Sequence, residues 1–328
     1  SNTSGGFRLR GAGAAAALAW PRNGTGVEFV FTGIAAKWAE PRCPVDRVER
    51  LGADEAHVVM MAPCWADWLK KTHERHLPAP LPPTGIENIG WKQKAVPGSW
   101  YLDTERDMLQ YAPRTGEDPR RLSMVVPVVE QLVVMDGVRG LRFRGFTFSH
   151  TTWSRPGSPE GFIENQSGND MQGRMTPASV SLTNSSDVAF SDCLFTRLGN
   201  AGLGVSRGSH DTTAERCIFA DISGAAYQAG CTSCVRADRV DENNSLVNSV
   251  VRDTAVELRG AAAVLVAYAA RTTIAHNTIT NCSYVPVSVG WGWRGEASFA
   301  RENRVAFNRI SHYKLILNDG GCIYTLDV

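Results

Sequence analysis

Between residues 138 and 326 the hydrophobic and polar positions recur at fixed offsets. Six runs, 141–150, 188–197, 212–221, 244–253, 272–281 and 303–312, superimpose without gaps on one apolar anchor each. The anchors are Phe148, Phe195, Phe219, Val251, Ile279 and Ile310. Five positions earlier stand Phe143, Phe190, Ala214, Leu246, Ile274 and Val305, all apolar. Two positions earlier stand Phe146, Cys193, Cys217, Ser249, Asn277 and Asn308, mostly small or amide-bearing. Successive anchors lie 47, 24, 32, 28 and 31 residues apart, so the first step has room for an inserted loop. Such a period marks stacked coils, each too small to bury its own apolar face. The β-branched and aromatic content of the runs makes each coil a set of strands. An antiparallel sandwich would instead repeat strands every 8–12 residues or so with hairpin turns. The pattern predicts an all-β chain: a right-handed parallel β-helix with an irregular β-rich N-terminal region.

Stacking supplies a physical check on this reading. Equivalent corners of successive coils lie roughly 4.8 Å apart, so like residues meet like. Asn277 over Asn308 is expected to form an amide ladder, and Cys193 over Cys217 fits the same column. Ahead of the coils the pattern is less regular. It suggests strands over 27–32 and 58–61, and a proline-broken irregular stretch over 38–44. An extended loop over 73–85 follows, then a strand–turn–strand over 97–113 and a lead-in over 125–134. The expected division is 1–121, an accessory region or cap, and 122–328, a solenoid cut short at its C-terminal end. The same N-terminal residues also fit a set of irregular first coils.

Composition narrows the function classes. The chain has 328 residues, with 34 Lys plus Arg against 33 Asp plus Glu, so no global field favours nucleic acid or an anionic membrane. The apolar run 14–20 is too short to cross a bilayer and lacks a cleavage pattern after it. Eight cysteines are too few for a disulfide scaffold, and Cys193, Cys217 and Cys322 are expected to pack as small apolar groups. Cys231 and Cys234 lack the second pair of a zinc site and the βαβ context of a redox motif, leaving a loop disulfide or two thiols. No cofactor or metal is called for, and a monomer is expected.

Longer motifs carry a resemblance. They are Pro97-Gly98-Ser99-Trp100-Tyr101-Leu102-Asp103, Tyr111-Ala112-Pro113-Arg114-Thr115-Gly116-Glu117-Asp118 and Phe146-Thr147-Phe148-Ser149-His150-Thr151-Thr152-Trp153. With them go Val289-Gly290-Trp291-Gly292-Trp293 and Asp319-Gly320-Gly321-Cys322-Ile323-Tyr324-Thr325. In order and spacing the chain resembles right-handed β-helix proteins of bacterial glycoside-hydrolase type. That group includes glycoside hydrolase family 141, where fucosidase and xylanase activities occur. The resemblance implies a β-helix, a polysaccharide or oligosaccharide ligand, and an extracellular or periplasmic setting. It also implies acidic residues in stretches such as Gly-Leu-Asp-Leu-Gly and Gly-Ile-Glu-Leu-Gly. The matching stretches here read Gly202-Leu203-Gly204-Val205-Ser206 and Ala225-Ala226-Tyr227-Gln228-Ala229, without carboxylates.

Hydrolysis of a glycosidic bond needs two carboxyl groups, one of them protonated. Asp319, before two glycines that permit close approach of a sugar, is the first candidate. Glu257 between apolar neighbours, facing a groove or pairing with Arg259, is the second. Glu164, in the loop inserted after the first coil, is the third. Trp291 and Trp293 alternate about Gly292 and would offer a sugar two indoles on one side. Trp153 and His150, at the end of the first coil, complete the candidate binding set, with His150 also able to serve as an acid or base. A non-catalytic carbohydrate-binding or structural solenoid is the alternative favoured by the missing carboxylates. A polysaccharide lyase fits less well, because the Asp residues are scattered rather than grouped to hold calcium.

Overall fold

The computed structural model describes residues 2–3, 5–34, 36–73, 81–91, 96–169, 171–233, 239–292 and 298–326. They form two compact units: Ser1–Ala35, Pro41–Val126 and Arg155–Phe162 in one, Ala36–Glu40, Pro127–Ser154 and Ile163–Val328 in the other.

The first unit is antiparallel. Gly6–Arg10 pairs with Glu55–Met60, which pairs with Ala39–Arg50, which in turn pairs with Glu28–Val30. Two short helices, Ala12–Leu18 and Cys64–His73, belong to this unit, as does the hairpin Trp100–Asp103 with Met108–Tyr111. Its core is aromatic, with Phe7, Phe29, Phe31, Trp65 and Trp68 in mutual ring contact. Of the stretch 38–44, expected to be irregular, 39–44 is instead part of the longest strand. Its prolines serve the sheet as acceptors: the Pro41 carbonyl takes the Phe31 N–H at 2.9 Å, and that of Pro44 takes the Met61 N–H at 3.0 Å. Pairing thus proceeds without the two missing N–H groups. A Cys43–Cys64 disulfide, not foreseen from the cysteine count, ties this strand to the second helix.

The second unit is a parallel β-helix built from three sheets. The first holds Val133–Asp136, Ala178–Thr183, Ala201–Ser206, Tyr227–Ala229, Val264–Val266, Val287–Val289 and Ile323–Thr325. The second runs from Arg142–Arg144 to Arg304–Ala306 and the third from Thr147–Ser149 to Arg309–Ser311, six strands each. The chain passes through the first, second and third sheets in turn and then repeats. In the third sheet Phe148, Phe195, Phe219, Val251, Ile279 and Ile310 stand opposite one another in register. The first five are at most 5% exposed and Ile310 packs against the same core. Phe148, Phe195 and Phe219 stack ring on ring at 4.8 and 4.5 Å. The second sheet aligns the Phe143 to Val305 column likewise, beginning with Phe143 on Phe190 at 4.9 Å.

The tight corner between second and third sheets carries the amide ladder. Asn277 Nδ2 donates to Asn308 Oδ1 at 3.0 Å and to the Leu246 carbonyl at 2.9 Å. Asn308 Nδ2 donates to the Ile274 carbonyl at 2.8 Å, and Asn277 Oδ1 accepts the Ser249 N–H at 2.9 Å. Higher in the column Cys193 and Cys217 are buried and unbridged. Burial pushes the Cys217 thiol up to about 11, so it stays protonated and packs as an apolar group.

Candidate functional site

Strand alternation decides what the first sheet shows outward. Val180, Leu203, Tyr227, Val264 and Val287 point inward and are fully buried. Between the inward positions Ser181, Gly204, Gln228, Leu265, Ser288 and Tyr324 therefore form an outward row, in register from rung to rung. An outward row on a sheet is ordinarily wet. Here Gln228, Leu265 and Ser288 are at most 4% exposed.

The inserted loop after the first coil covers them. Its short antiparallel strands are Phe162–Asn165, Gly168–Asn169 and Arg174–Met175. Ser167 Oγ donates to the Ala262 carbonyl at 3.4 Å, and a β-carbon on Gly168 would stand 3.3 Å from the Trp291 ring. Met175 packs on a cluster of Leu265, Tyr268, Trp291, Phe299 and Leu326. The insertion buries a run of polar side chains, Glu164, Asn165, Gln166, Ser167 and Asn169. Gln166 Oε1, Asn169 Nδ2, Gln228 Nε2 and Ser288 Oγ are buried without a hydrogen-bond partner among the described residues. Buried polar groups in folded proteins are normally paired, so a group of orphans beneath one loop is unusual.

Glu164 and Asp319 approach the same face from different coils. A β-carbon on Gly260 would fall 2.5 Å from Glu164 Cγ, so only glycine lets the 255–263 loop pass beside that side chain. Glu164 Oε1 accepts the Ser167 N–H at 3.2 Å. Two residues on, the Gln166 side chain bonds the Tyr284 hydroxyl. Tyr284 is 1% exposed, and its hydroxyl is raised above its ordinary pKa by burial first and then by the Asp319 carboxylate. Asp319 itself is half-buried. Gly320, at φ 72°, would bring a β-carbon within 2.8 Å of Val285, and its carbonyl accepts from Lys314 Nζ at 2.9 Å. Gln166 and Asp319 thus meet at Tyr284, with Glu164 two residues before Gln166 on the inserted loop.

The other candidates fall elsewhere. Glu257 lies on the 255–263 loop, but its carboxylate accepts from Ser223 Oγ at 3.0 Å and is exposed. The Arg259 guanidinium pairs with Glu40 at 3.5 Å. Trp291 is on the opposite edge of the row, 9% exposed and enclosed by its cluster, so it forms a wall rather than an open platform. Trp293 lies outside the described residues. Likewise Cys231 is disulfide-bonded, and Cys234 lies outside the described residues. His150 sits at the outermost rung, its Nδ1 at 3.0 Å from Ser149 Oγ. Five rungs separate His150 from His312, so it stands roughly 24 Å from the corner bearing Asp319. Trp153 belongs to the same end, between Thr152, bonded to the Val129 carbonyl, and Ser154, bonded to Glu130. Sequence reasoning missed Gln166, Gln228, Tyr284 and Ser288. Gln228 alone had a signal nearby, standing one position after Tyr227, where the resemblance leads one to expect a carboxylate.

No family model matches the chain, and no curated protein matches it. Among solved structures it is similar to one titled "Glycoside hydrolase", with a TM-score of 0.78 and 25% identity. The likeness covers 97% of this chain and 60% of that one, so the chain spans less than two thirds of the neighbour's length.

Proposed function

We propose that the chain acts on a glycan, hydrolysing glycosidic bonds of a polysaccharide at the outer face of the first sheet. The observation that carries this reading is the meeting at Tyr284 of Asp319, from the last coil, and Gln166, from the inserted loop and two residues after Glu164. Hydrolysis asks for one carboxyl that gives a proton to the leaving oxygen and another that serves the anomeric carbon or its attacking water. Asp319, half-buried, is the carboxyl that would meet the scissile bond. Glu164 is the second carboxyl. The unpartnered amide nitrogens of Asn169 and Gln228 and the Ser288 hydroxyl are the groups that sugar hydroxyls would take up. The similarity to a structure titled glycoside hydrolase supports the reaction class. The motif resemblance to glycoside hydrolase family 141 supports the same class.

One observation favours a binding role without catalysis. Gly204 and Tyr227, the positions where the resemblance leads one to expect carboxylates, lie on adjacent rungs of the first sheet and carry none, and Tyr227 points into the core. Reducing-sugar release from plant and microbial polysaccharides separates the two readings. Hydrolysis is expected in the wild type, and Asp319→Asn is expected to lower it by about 10²–10⁴-fold, the range for a lost general acid or base. Full activity in Asp319→Asn would remove this site from the reaction. Binding without any release would establish the second reading.

A further inference from the structure

A second concave surface lies on the third sheet. The outer face of the third sheet forms a cleft of about 660 Å³. Its floor is a column of corner residues, Arg197, Asp221, Asp253 and Asn281, one per coil. Each adopts the left-handed conformation, with φ of 53°, 60°, 53° and 57°. Val256, Leu315 and Ile316 form an exposed apolar wall.

The charges in the cleft largely cancel. Asp253 accepts from Asn281 Nδ2 on one oxygen and from Arg252 on the other. Arg259 is paired with Glu40. Arg197 and Asp221 remain, opposite each other on adjacent rungs and exposed. Neither side chain makes a hydrogen bond or ion pair among the described residues. A cleft with balanced charge selects against strongly anionic or cationic ligands. Planar polar groups at a rung spacing of roughly 4.8 Å offer paired hydrogen bonds to neighbouring hydroxyls. The apolar wall suits the C–H face of a pyranose ring.

The geometry points to a second glycan-binding site in this cleft, taking a neutral oligosaccharide segment through Arg197 and Asp221. The glycan class is carried over from the proposed function, but binding is read without turnover, so a failure of hydrolysis leaves the test intact. The test is affinity gel electrophoresis of the full chain in soluble xylan, β-glucan and galactomannan, with polygalacturonate as the anionic probe. At least one neutral polymer is expected to retard the wild type. Arg197→Ala and Asp221→Ala, both at exposed positions, are each expected to weaken that retardation at least fivefold. Wild-type retardation in both variants overturns the site. So does retardation by polygalacturonate alone, or by none of the polymers.

Discussion

Asp241 shows how a single buried carboxyl sets a pH dependence. Its side chain is fully buried and accepts backbone N–H groups of Arg207, Gly208 and Ser209 at 3.1, 2.9 and 2.9 Å. Burial pushes the carboxyl up to about 7, with the three N–H groups pulling the other way. In the unfolded chain an Asp releases its proton near pH 4 or so. Between those values the folded state holds more protons than the unfolded one, so this residue's stabilising contribution falls as pH rises through the window. Above about 7 the loss is complete. Asp241→Asn removes the ionisation. In urea titrations the stability gap between wild type and variant is expected to shift against the wild type from pH 4 to pH 7. A gap independent of pH would show that Asp241 does not titrate in this range. Asp241 had no signature in the sequence, because nothing local says that a polar residue between coils will be covered. Asp319 was legible for the opposite reason: two following glycines mark a special backbone wherever they occur. Tyr284 beside it, and Gln166 bonded to Tyr284, were not legible, since only folding brings residues 166 and 319 to Tyr284.

At the scale of elements, register is what holds the β-helix, and register was written in the sequence. Identical offsets in six runs fix which residues stack, so the Phe148 to Ile310 column and the Asn277–Asn308 ladder follow from alignment alone. Phe195 sits between two stacked rings at 4.8 and 4.5 Å and is fully buried. Phe195→Ala is expected to cost about 3–5 kcal/mol in chemical denaturation, and a cost near zero would place it outside the core. Asn308→Ala acts differently. It removes the acceptor of two bonds from Asn277, whose N–H and side-chain amide are buried or nearly so. Orphaned buried donors cost about 1–3 kcal/mol, so a loss in that range is expected. A neutral result would mean that the corner relaxes enough to rehydrate Asn277. The strand Ala39–Arg50 escaped sequence reading because its two prolines argue against a strand on local grounds. Their carbonyls are satisfied by residues outside the stretch, which only the pairing reveals. The inserted loop was placed by its length, yet what it covers depended on contacts with residues about a hundred positions later.

At the scale of the whole molecule, the two units are stabilised by different physics. A β-helix is close to one-dimensional: each coil contacts its neighbours, and stability accumulates rung by rung. The antiparallel unit instead closes long loops, as when Glu28–Val30 pairs with Gly85–Glu87. Loop closure is where a covalent tie acts most strongly. The Cys43–Cys64 bridge spans 21 residues, for which chain-entropy reasoning gives about 3 kcal/mol. Replacing both cysteines, Cys43→Ser with Cys64→Ser, leaves the repeating contacts of the β-helix untouched. Native-state hydrogen exchange should then show lost protection in Glu55–Met60 and Ala39–Arg50. Amides in Thr273–Ala275 and Thr278–Cys282 should keep theirs, because their partners lie in adjacent coils. Equal loss in both sets would mean that the chain opens as one cooperative body, and that the solenoid's stability depends on the bridged unit after all.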